Sequence, residues 1–304
     1  MNLGPNSPCH CGSGRKYKHC HRLIDEAPPE DRYQAGQLVY SRNWSATAKE
    51  HYTNKHYAWM ANILLPFQPK RIFDVGCGSG HGLLSLFEVF GADHLQVVSV
   101  DENGTCLNTA CQTLRQAKIS ADLVKRLRTI LTPFGYAHEA APIEKQFTVP
   151  CTLVESDICN DDQLEKALLE SGPFDAVTIW LTGTHMMRPQ HSKVIARRIK
   201  SDGGHRLYVQ NKVYEIAGRI LRKGGVLQVV DRGEAPTSDL LRQDSLAAHR
   251  DEASVTSLEV MDLQFMIYEE PKGNRTPMKL TPGTSGRVPE KLETALVSVL
   301  SVKR

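Results

Sequence analysis

Phe73-Asp74-Val75-Gly76-Cys77-Gly78-Ser79-Gly80-His81-Gly82 carries the densest chemistry in the chain. It follows a short apolar strand pattern, Arg71 to Val75, and opens a helical one, Gly82 to Phe90. Glycines at such a junction let the backbone turn sharply and approach a ligand, and a helix N-terminus presents free N–H groups. Two cofactor classes use loops of this kind. The dinucleotide spacing Gly-x-Gly-x-x-Gly, counted from Gly76, puts its third glycine at position 81, which is His81. Asp74 sets a carboxylate at the strand end, which repels a pyrophosphate and favours a cationic group. The loop therefore points away from a dinucleotide.

Outward from the loop, strand and helix patterns alternate. Strands are expected at Leu95 to Val100, Cys151 to Glu155, Phe174 to Leu181 and Gly225 to Val230. Helices are expected at Ser45 to Leu65, Gly104 to Ala117 with a continuation toward Leu131, Asp161 to Glu170, Ser192 to Ile199 and Leu207 to Leu221. The Gly203-Gly204 pair reads as the break between the last two. Alternation of this kind predicts an α/β fold with a mostly parallel sheet covered on both faces. Two consecutive strands, Leu258 to Glu269 and Thr294 to Val302, close the chain, and the Pro- and Gly-rich segment around 271–290 reads as a long loop. Residues 132–150 read as an insertion without periodicity.

With the strands in place, the sequence resembles the class I S-adenosylmethionine methyltransferases, whose first motif, acidic-x-Gly-x-Gly-x-Gly, is matched by Asp74, Gly76, Gly78 and Gly80. The resemblance runs from about Ser45 to Lys303 in strand order, with specific motifs in a few short segments. It implies a Rossmann-like, seven-stranded sheet with helices on both faces. It also implies that Asp74 and the glycines hold the methionine portion of the cofactor. Asp101, at the next strand end and followed by Glu102, is implied to accept from the ribose hydroxyls; a carboxylate has the two acceptor oxygens this needs. Asp157 and Ile158, after the third strand, are implied to meet the adenine amine and ring. Asp101 and Asp157 both precede helices, so an N-cap is the alternative for each. The run Leu221-Arg222-Lys223-Gly224-Gly225-Val226-Leu227 resembles the family's turn into its fifth strand.

The fourth strand ends Trp180-Leu181-Thr182-Gly183-Thr184-His185, where the family faces methyl group and acceptor, so Trp180 joins the expected cofactor site. No Asp/Asn-Pro-Pro-aromatic run stands there, which argues against exocyclic base amines as acceptors, and no Pro-Cys pair, which argues against cytosine C5 chemistry. Methyl transfer asks the protein mainly for alignment. His185 is the candidate base and Thr182 its polar orienter, with a structural loop histidine as the alternative. Tyr40, Trp44, Tyr52, Tyr57 and Trp59 precede the glycine loop, where the family often carries a lid; an aromatic helix face packed on the sheet explains them equally well.

Three of the eight cysteines cluster near the N-terminus. Cys9, Cys11, Cys20 and His21 supply three thiols and an imidazole, a full shell for structural zinc, and fourteen residues build no core of their own. The run from Pro8 to His21 resembles the SEC-C motif known from the C-terminal tail of the bacterial translocase ATPase, and His10 and His19 are surplus to it. In its relatives this knuckle docks on proteins or ribosomes, so a protein or ribosome-associated partner is an expectation. The domain reading is a zinc knuckle at 1–22, a linker at 23–36 holding Pro28-Pro29, and a methyltransferase domain at 37–304.

The net charge of +3 is too small to argue for nucleic acid by itself. Ten Lys and Arg between Arg188 and Lys223 face only Asp202 and Glu215, which keeps an RNA methyltransferase open as a rival; a solvated helix surface is the plainer reading. A further rival is a non-catalytic cofactor-binding adaptor acting through the knuckle. The N-terminus lacks the apolar core of a signal peptide, and no stretch of about 18 apolar residues exists, so a cytoplasmic protein without a membrane span is expected.

Overall fold

The computed structural model describes residues 3–10, 15–144, 147–270 and 292–304. Ten strands are described: β1 (Arg71–Val75), β2 (Gln96–Asp101), β3 (Ala121–Val124), β4 (Leu127–Thr132), β5 (Gly135–Ala140), β6 (Cys151–Glu155), β7 (Phe174–Trp180), β8 (Leu221–Glu234), β9 (Leu258–Ile267) and β10 (Thr294–Lys303). Nine α-helices accompany them among the described residues: α1 (Arg22–Asp25), α2 (Arg32–Thr53), α3 (His56–Ile63), α4 (His81–Phe90), α5 (Gly104–Gln116), α6 (Asp162–Glu170), α7 (Ser192–Ala196), α8 (Asp202–Ile220) and α9 (Asp239–Ala253).

Eight strands form one sheet in the order β3-β6-β2-β1-β7-β8-β10-β9. The first six are parallel, and β10 runs antiparallel to both neighbours. This is the Rossmann-like α/β fold expected, with eight strands in place of seven. The extra edge strand, β3, lies where helix was expected to continue past Ala117. Lys118 takes a left-handed φ of 62° and stops the helix, and Ala121 to Val124 pair with β6 instead.

Period-two alternation divides the sheet's side chains between two cores. Ile72, Val97, Ala176 and Trp180 pack under α2–α5 with Trp44, Tyr57, Leu83 and Leu107. Phe73, Val98, Val177 and Ile179 pack on the other face under α6 and α8 with Leu164, Leu168, Val213 and Tyr214. Cys77, Cys106, Cys111, Cys151 and Cys159 are buried in these layers, as ordinary core thiols are.

Several boundaries differ from expectation, each for a local reason. The helix expected from Ser45 starts at Arg32 and is broken at Lys55, whose φ is 62°, so α2 and α3 meet at a turn across which His51 and His56 touch at 2.8 Å. The proline segment is only the short lead into α2. The Gly203-Gly204 pair lies inside the first turn of α8, where the Ser201 hydroxyl accepts from the Gly204 N–H at 3.1 Å. The insertion at 132–150 contains β5, which forms an antiparallel hairpin with β4 around Pro133 and Phe134. β9 and β10 are the two closing strands, and the expected loop between them lies outside the described residues. No helix among the described residues is long and apolar enough to cross a membrane.

Candidate functional site

The chain passes from β1 to β2 on one side of β1, and returns to β7 on the other, so the sheet reverses its winding between β1 and β7. Loops diverge at such a point and leave a crevice beyond the strands' carboxyl ends. A crevice open to solvent lies there. Its floor is Gly76, Gly78, Asp101 and Glu102, one wall is Asp157 and Ile158, and the other is Leu181, Thr182, Gly183 and His185.

The glycine loop is shaped by backbone geometry. Gly76, Gly78 and Gly80 have φ of 84°, 50° and 82°. A Cβ on Gly78 would stand 2.5 Å from the Trp44 indole nitrogen, so α2 closes over the loop at a distance only glycine allows. Asp101 anchors the loop from β2. Its Oδ2 accepts from the Gly78 N–H at 3.0 Å, and its Oδ1 accepts from the Asn103 N–H at 2.8 Å. Burial raises its pKa to about 7, against the pull of those two N–H groups. The capping alternative is answered by the neighbours. Asn103 caps α5 through bonds from Thr105 N and Cys106 N, and Asp161 caps α6 through Leu164 N. Asp101 and Asp157 are free of that task.

Asp74 does not line the crevice. It pairs in register with Ser99 and Thr178, and their hydroxyls donate to its carboxylate at 2.6 and 2.8 Å. Burial raises it to about 6, and the two hydroxyls partly offset this. Its charge lies beneath the loop, where it ties β1 to β2 and β7. Gly80 is likewise outside the lining and lets α4 approach Ala110 of α5. Trp180 points into the layer under α3. It stacks on Tyr57 with ring centroids 6.3 Å apart and donates to Gln228 Oε1 at 2.9 Å. The position expected at the cofactor is therefore a core position: the alternation along β7 sends Trp180 to the same face as Ala176.

Beyond Asp101 the crevice holds an ion-pair network that no sequence pattern announced. Arg188 is 1% exposed and grips Asp157 through both guanidinium nitrogens, at 2.8 and 2.9 Å. It also pairs with Glu102 and donates to His205 Nε2 at 2.7 Å. Burial alone would raise Glu102 and Asp157, but the guanidinium outweighs it and holds both carboxylates ionised, below their ordinary range. Asp157 further accepts from Cys159 N and Asn160 Nδ2. Its oxygens are thus already occupied, whereas Ile158 presents an apolar wall. Arg188 is the first of the ten cations expected to form a basic face between 188 and 223. Of the others, Arg206 pairs with Asp231, Lys212 and Arg219 with Glu165, and Arg222 with Asp175, so the stretch is not a bare cationic surface.

His185 lies against the same network. Its Nδ1 accepts from the Met187 N–H at 3.3 Å, which leaves the neutral ring's proton on Nε2, 3.0 Å from Glu102 Oε1. Thr182 Oγ1 is buried without a hydrogen-bond partner and lies 3.5 Å from where a Gly76 Cβ would stand. Of the aromatic residues before the loop, Tyr40 and Trp44 line the crevice, whereas Tyr52 bonds to Glu88, Tyr57 stacks on Trp180 and Trp59 packs on the core. α2 is latched over the site: Gln37 donates to the Glu102 carbonyl at 3.1 Å, and Asn103 donates back to the Gln37 carbonyl at 3.0 Å.

At the N-terminus, Cys9, Cys20 and His21 converge, with ligand atoms within 4.8 Å of one another. Both sulfurs approach His21 Nδ1, at 3.2 and 3.4 Å. Two such ligands on a tetrahedral zinc are about 3.6 Å apart, so the donor set fits that ion. Cys11 lies outside the described residues. The surplus His10 turns to Asp25 at 2.8 Å. Met186, in the loop after β7, packs on both the knuckle and the cluster of Tyr33, Val39 and Tyr136. The knuckle thus docks on the loop that lines the crevice.

Residues 6–23 match the SEC-C motif family. Solved structures similar to the chain include the N-methyltransferase NodS from Bradyrhizobium japonicum WM9 in complex with S-adenosyl-L-homocysteine. It shows 10% sequence identity, with 83% of this chain and 88% of that chain covered, at a TM-score of 0.44. A SAM-dependent O-methyltransferase from Thermotoga maritima aligns at 14% identity over 82% of this chain and 64% of its own, at a TM-score of 0.41. Neither likeness says anything of individual residues, whose roles rest on the geometry above.

Proposed function

We propose that the crevice binds S-adenosylmethionine and that the protein is a methyltransferase whose SEC-C knuckle carries zinc. One observation carries this reading: a carboxylate free of capping duty, Asp101, stands at the end of β2, next to the switch point, and faces a glycine loop that opens into a helix. That arrangement suits a nucleoside with two ribose hydroxyls, and a carboxylate on the Gly78 N–H disfavours a pyrophosphate there. Asp101 would take the ribose, Gly76 and Gly78 the amino acid portion, and Ile158 the adenine face. The unpartnered Thr182 hydroxyl supplies a polar contact where the fourth strand ends.

The bound cofactor supplies an activated methyl group on a sulfonium, and the chain's contribution is alignment and exclusion of water. Tyr40 and Trp44 of α2 cover the crevice, and Gln37 fixes that cover to the β2–α5 turn. His185, whose Nδ1 is an acceptor already engaged and whose Nε2 holds the proton, is assigned to orienting Glu102. A role as base would require release of the Met187 contact first. The site is net acidic, with Asp101, Glu102 and Asp157 against Arg188, which favours a cationic or neutral acceptor over an anionic one.

The knuckle is read as a brace for the loop from Leu181 to Arg188 as well as a surface for a protein or ribosome-associated partner. The pairing of the 188–223 cations favours a protein or small-molecule acceptor over RNA. A cytoplasmic location is part of the same proposal, because a reducing compartment keeps clustered thiols available to a metal. Incubation with tritiated cofactor and a lysate lacking this protein, fractionated into protein, nucleic acid and small molecules, tests the reading. Label in the protein or small-molecule fraction, lost with Asp101→Ala, is expected. Label in none of the fractions, although the cofactor binds, would favour the adaptor reading.

A further inference from the structure

Beside the crevice, against Asp157 of its wall, lie two histidines the methyl-transfer reading does not use. His138 comes from β5, Asp157 from the turn after β6, and His191 from the residue before α7. One ligand atom from each lies within 4.8 Å of the other two. Both nitrogens of His138, and Nε2 of His191, are buried without a hydrogen-bond partner. His191 is 1% exposed and Asp157 3%. An orphaned polar atom in such a place is unfavourable, and three of them beside one carboxylate point to a ligand.

The occupant must be small. Donor atoms within 4.8 Å of one another leave space between them for no more than a single small ligand, and the rings of Tyr136, His138 and His191 pack on one another at centroid distances of 5.1 to 5.2 Å. The unprotonated nitrogen of His138 offers a lone pair there, His191 offers one at Nε2 once its ring proton moves to Nδ1, and Asp157 Oδ2 does so in place of its bond from Asn160 Nδ2, so an electron-pair acceptor suits the space. Charge permits a cation: Glu102 and Asp157 carry two negative charges against the single guanidinium of Arg188. We propose that His138, Asp157 and His191 form a second metal site, separate from the knuckle, for a divalent first-row transition cation. Two imidazoles with one carboxylate suit zinc, iron(II) or manganese, and three protein donors leave coordination positions open.

Two consequences distinguish an ion from trapped water. An ion about 2.1 Å from each donor sets the donors about 3.4 Å apart, so the group contracts on loading. His191 Nδ1 accepts from the Lys193 N–H at 3.3 Å and caps α7, which puts the ring proton on Nε2. Coordination through Nε2 moves that proton to Nδ1 and releases the cap. Loading the site therefore frees the first turn of α7.

The test is metal stoichiometry on the full chain after dialysis against zinc and removal of loose ions. Two zinc ions per chain are expected in the wild type and one in His138→Gln, with the amide of Lys193 exchanging faster in the loaded wild type than in the dialysed apoprotein. Cobalt substitution separates the sites, because the knuckle gives intense thiolate-to-cobalt absorption and an N,N,O site only weak visible bands. The weak bands should vanish in His138→Gln while the thiolate absorption remains. One ion per chain in the wild type, with only thiolate absorption and an unchanged Lys193 amide, would overturn the proposal. That result holds whether or not the variant folds, and it leaves the cofactor reading untouched.

Discussion

Replacing Asp101 by Asn keeps the side chain's shape and removes its charge. The carboxylate presently accepts from the N–H groups of Gly78 and Asn103 and, when ionised, has lone pairs left for two ribose hydroxyls. The amide offers one acceptor oxygen. Its NH2 group either faces the Gly78 N–H, donor against donor, or turns toward the ribose. At least one charge-assisted hydrogen bond is lost, worth about 1.5–3 kcal/mol, so affinity for S-adenosylhomocysteine should fall by roughly 10- to 150-fold. The pH dependence sharpens the test. Burial sets the wild-type carboxyl at about 7, so below that pH the free protein is protonated and must lose the proton to bind. Wild-type affinity should weaken by about tenfold per unit as pH falls below 7 and level off above it. The same raised pKa makes the ligand-free fold lose stability as pH rises from about 4 to 7, because the folded state then holds a proton the unfolded chain has released. In Asp101→Asn both slopes should flatten. Titration calorimetry at pH 6 and 8 on the two proteins reads this directly. Equal affinities within twofold, or an undiminished slope in the variant, would show that Asp101 does not hold the ligand.

Three further outcomes follow from particular contacts. Gly78→Ala drives a Cβ against the Trp44 indole at a φ of 50°, so affinity for S-adenosylhomocysteine should drop at least tenfold with secondary structure kept, as read by calorimetry and circular dichroism. Trp180→Phe leaves the buried Gln228 Oε1 unpartnered; stability should fall by about 1–3 kcal/mol in denaturant titration while ligand affinity stays within twofold, because Trp180 serves the core. Removing zinc with a chelator should accelerate hydrogen exchange at Met186 to Arg188, since Met186 packs on the knuckle; unchanged exchange there would mean that the knuckle and the crevice loop are uncoupled.

The sheet was legible because each buried parallel strand is a short apolar run, and the glycine loop because its turn admits few other residues. Asp101 and Asp157 could be located at strand ends, yet whether each was a cap or a ligand depended on Asn103 and Asp161, which sequence alone does not rank. β3 was hidden because four residues carry little periodicity, and the β4–β5 hairpin because only Pro133 and Gly135 mark its turn. Trp180 was misplaced by one step of the strand alternation, which decides the face but is hard to phase at a strand end. The Arg188 network was out of reach: its partners lie 86 and 31 residues away, and the only hint was an arginine beside Pro189 in a stretch otherwise read as surface. The donors of the proposed second metal site come from three separate elements, with none of the close spacing that exposed Cys9, Cys20 and His21.

A crystal of the full chain soaked with S-adenosylhomocysteine tests the central claim most directly. The ribose hydroxyls should lie within hydrogen-bond distance of Asp101, the amino acid portion over Gly76 and Gly78, and the adenine against Ile158. A ligand bound elsewhere, or a crevice still closed by Tyr40 and Trp44 at saturating ligand, would contradict it.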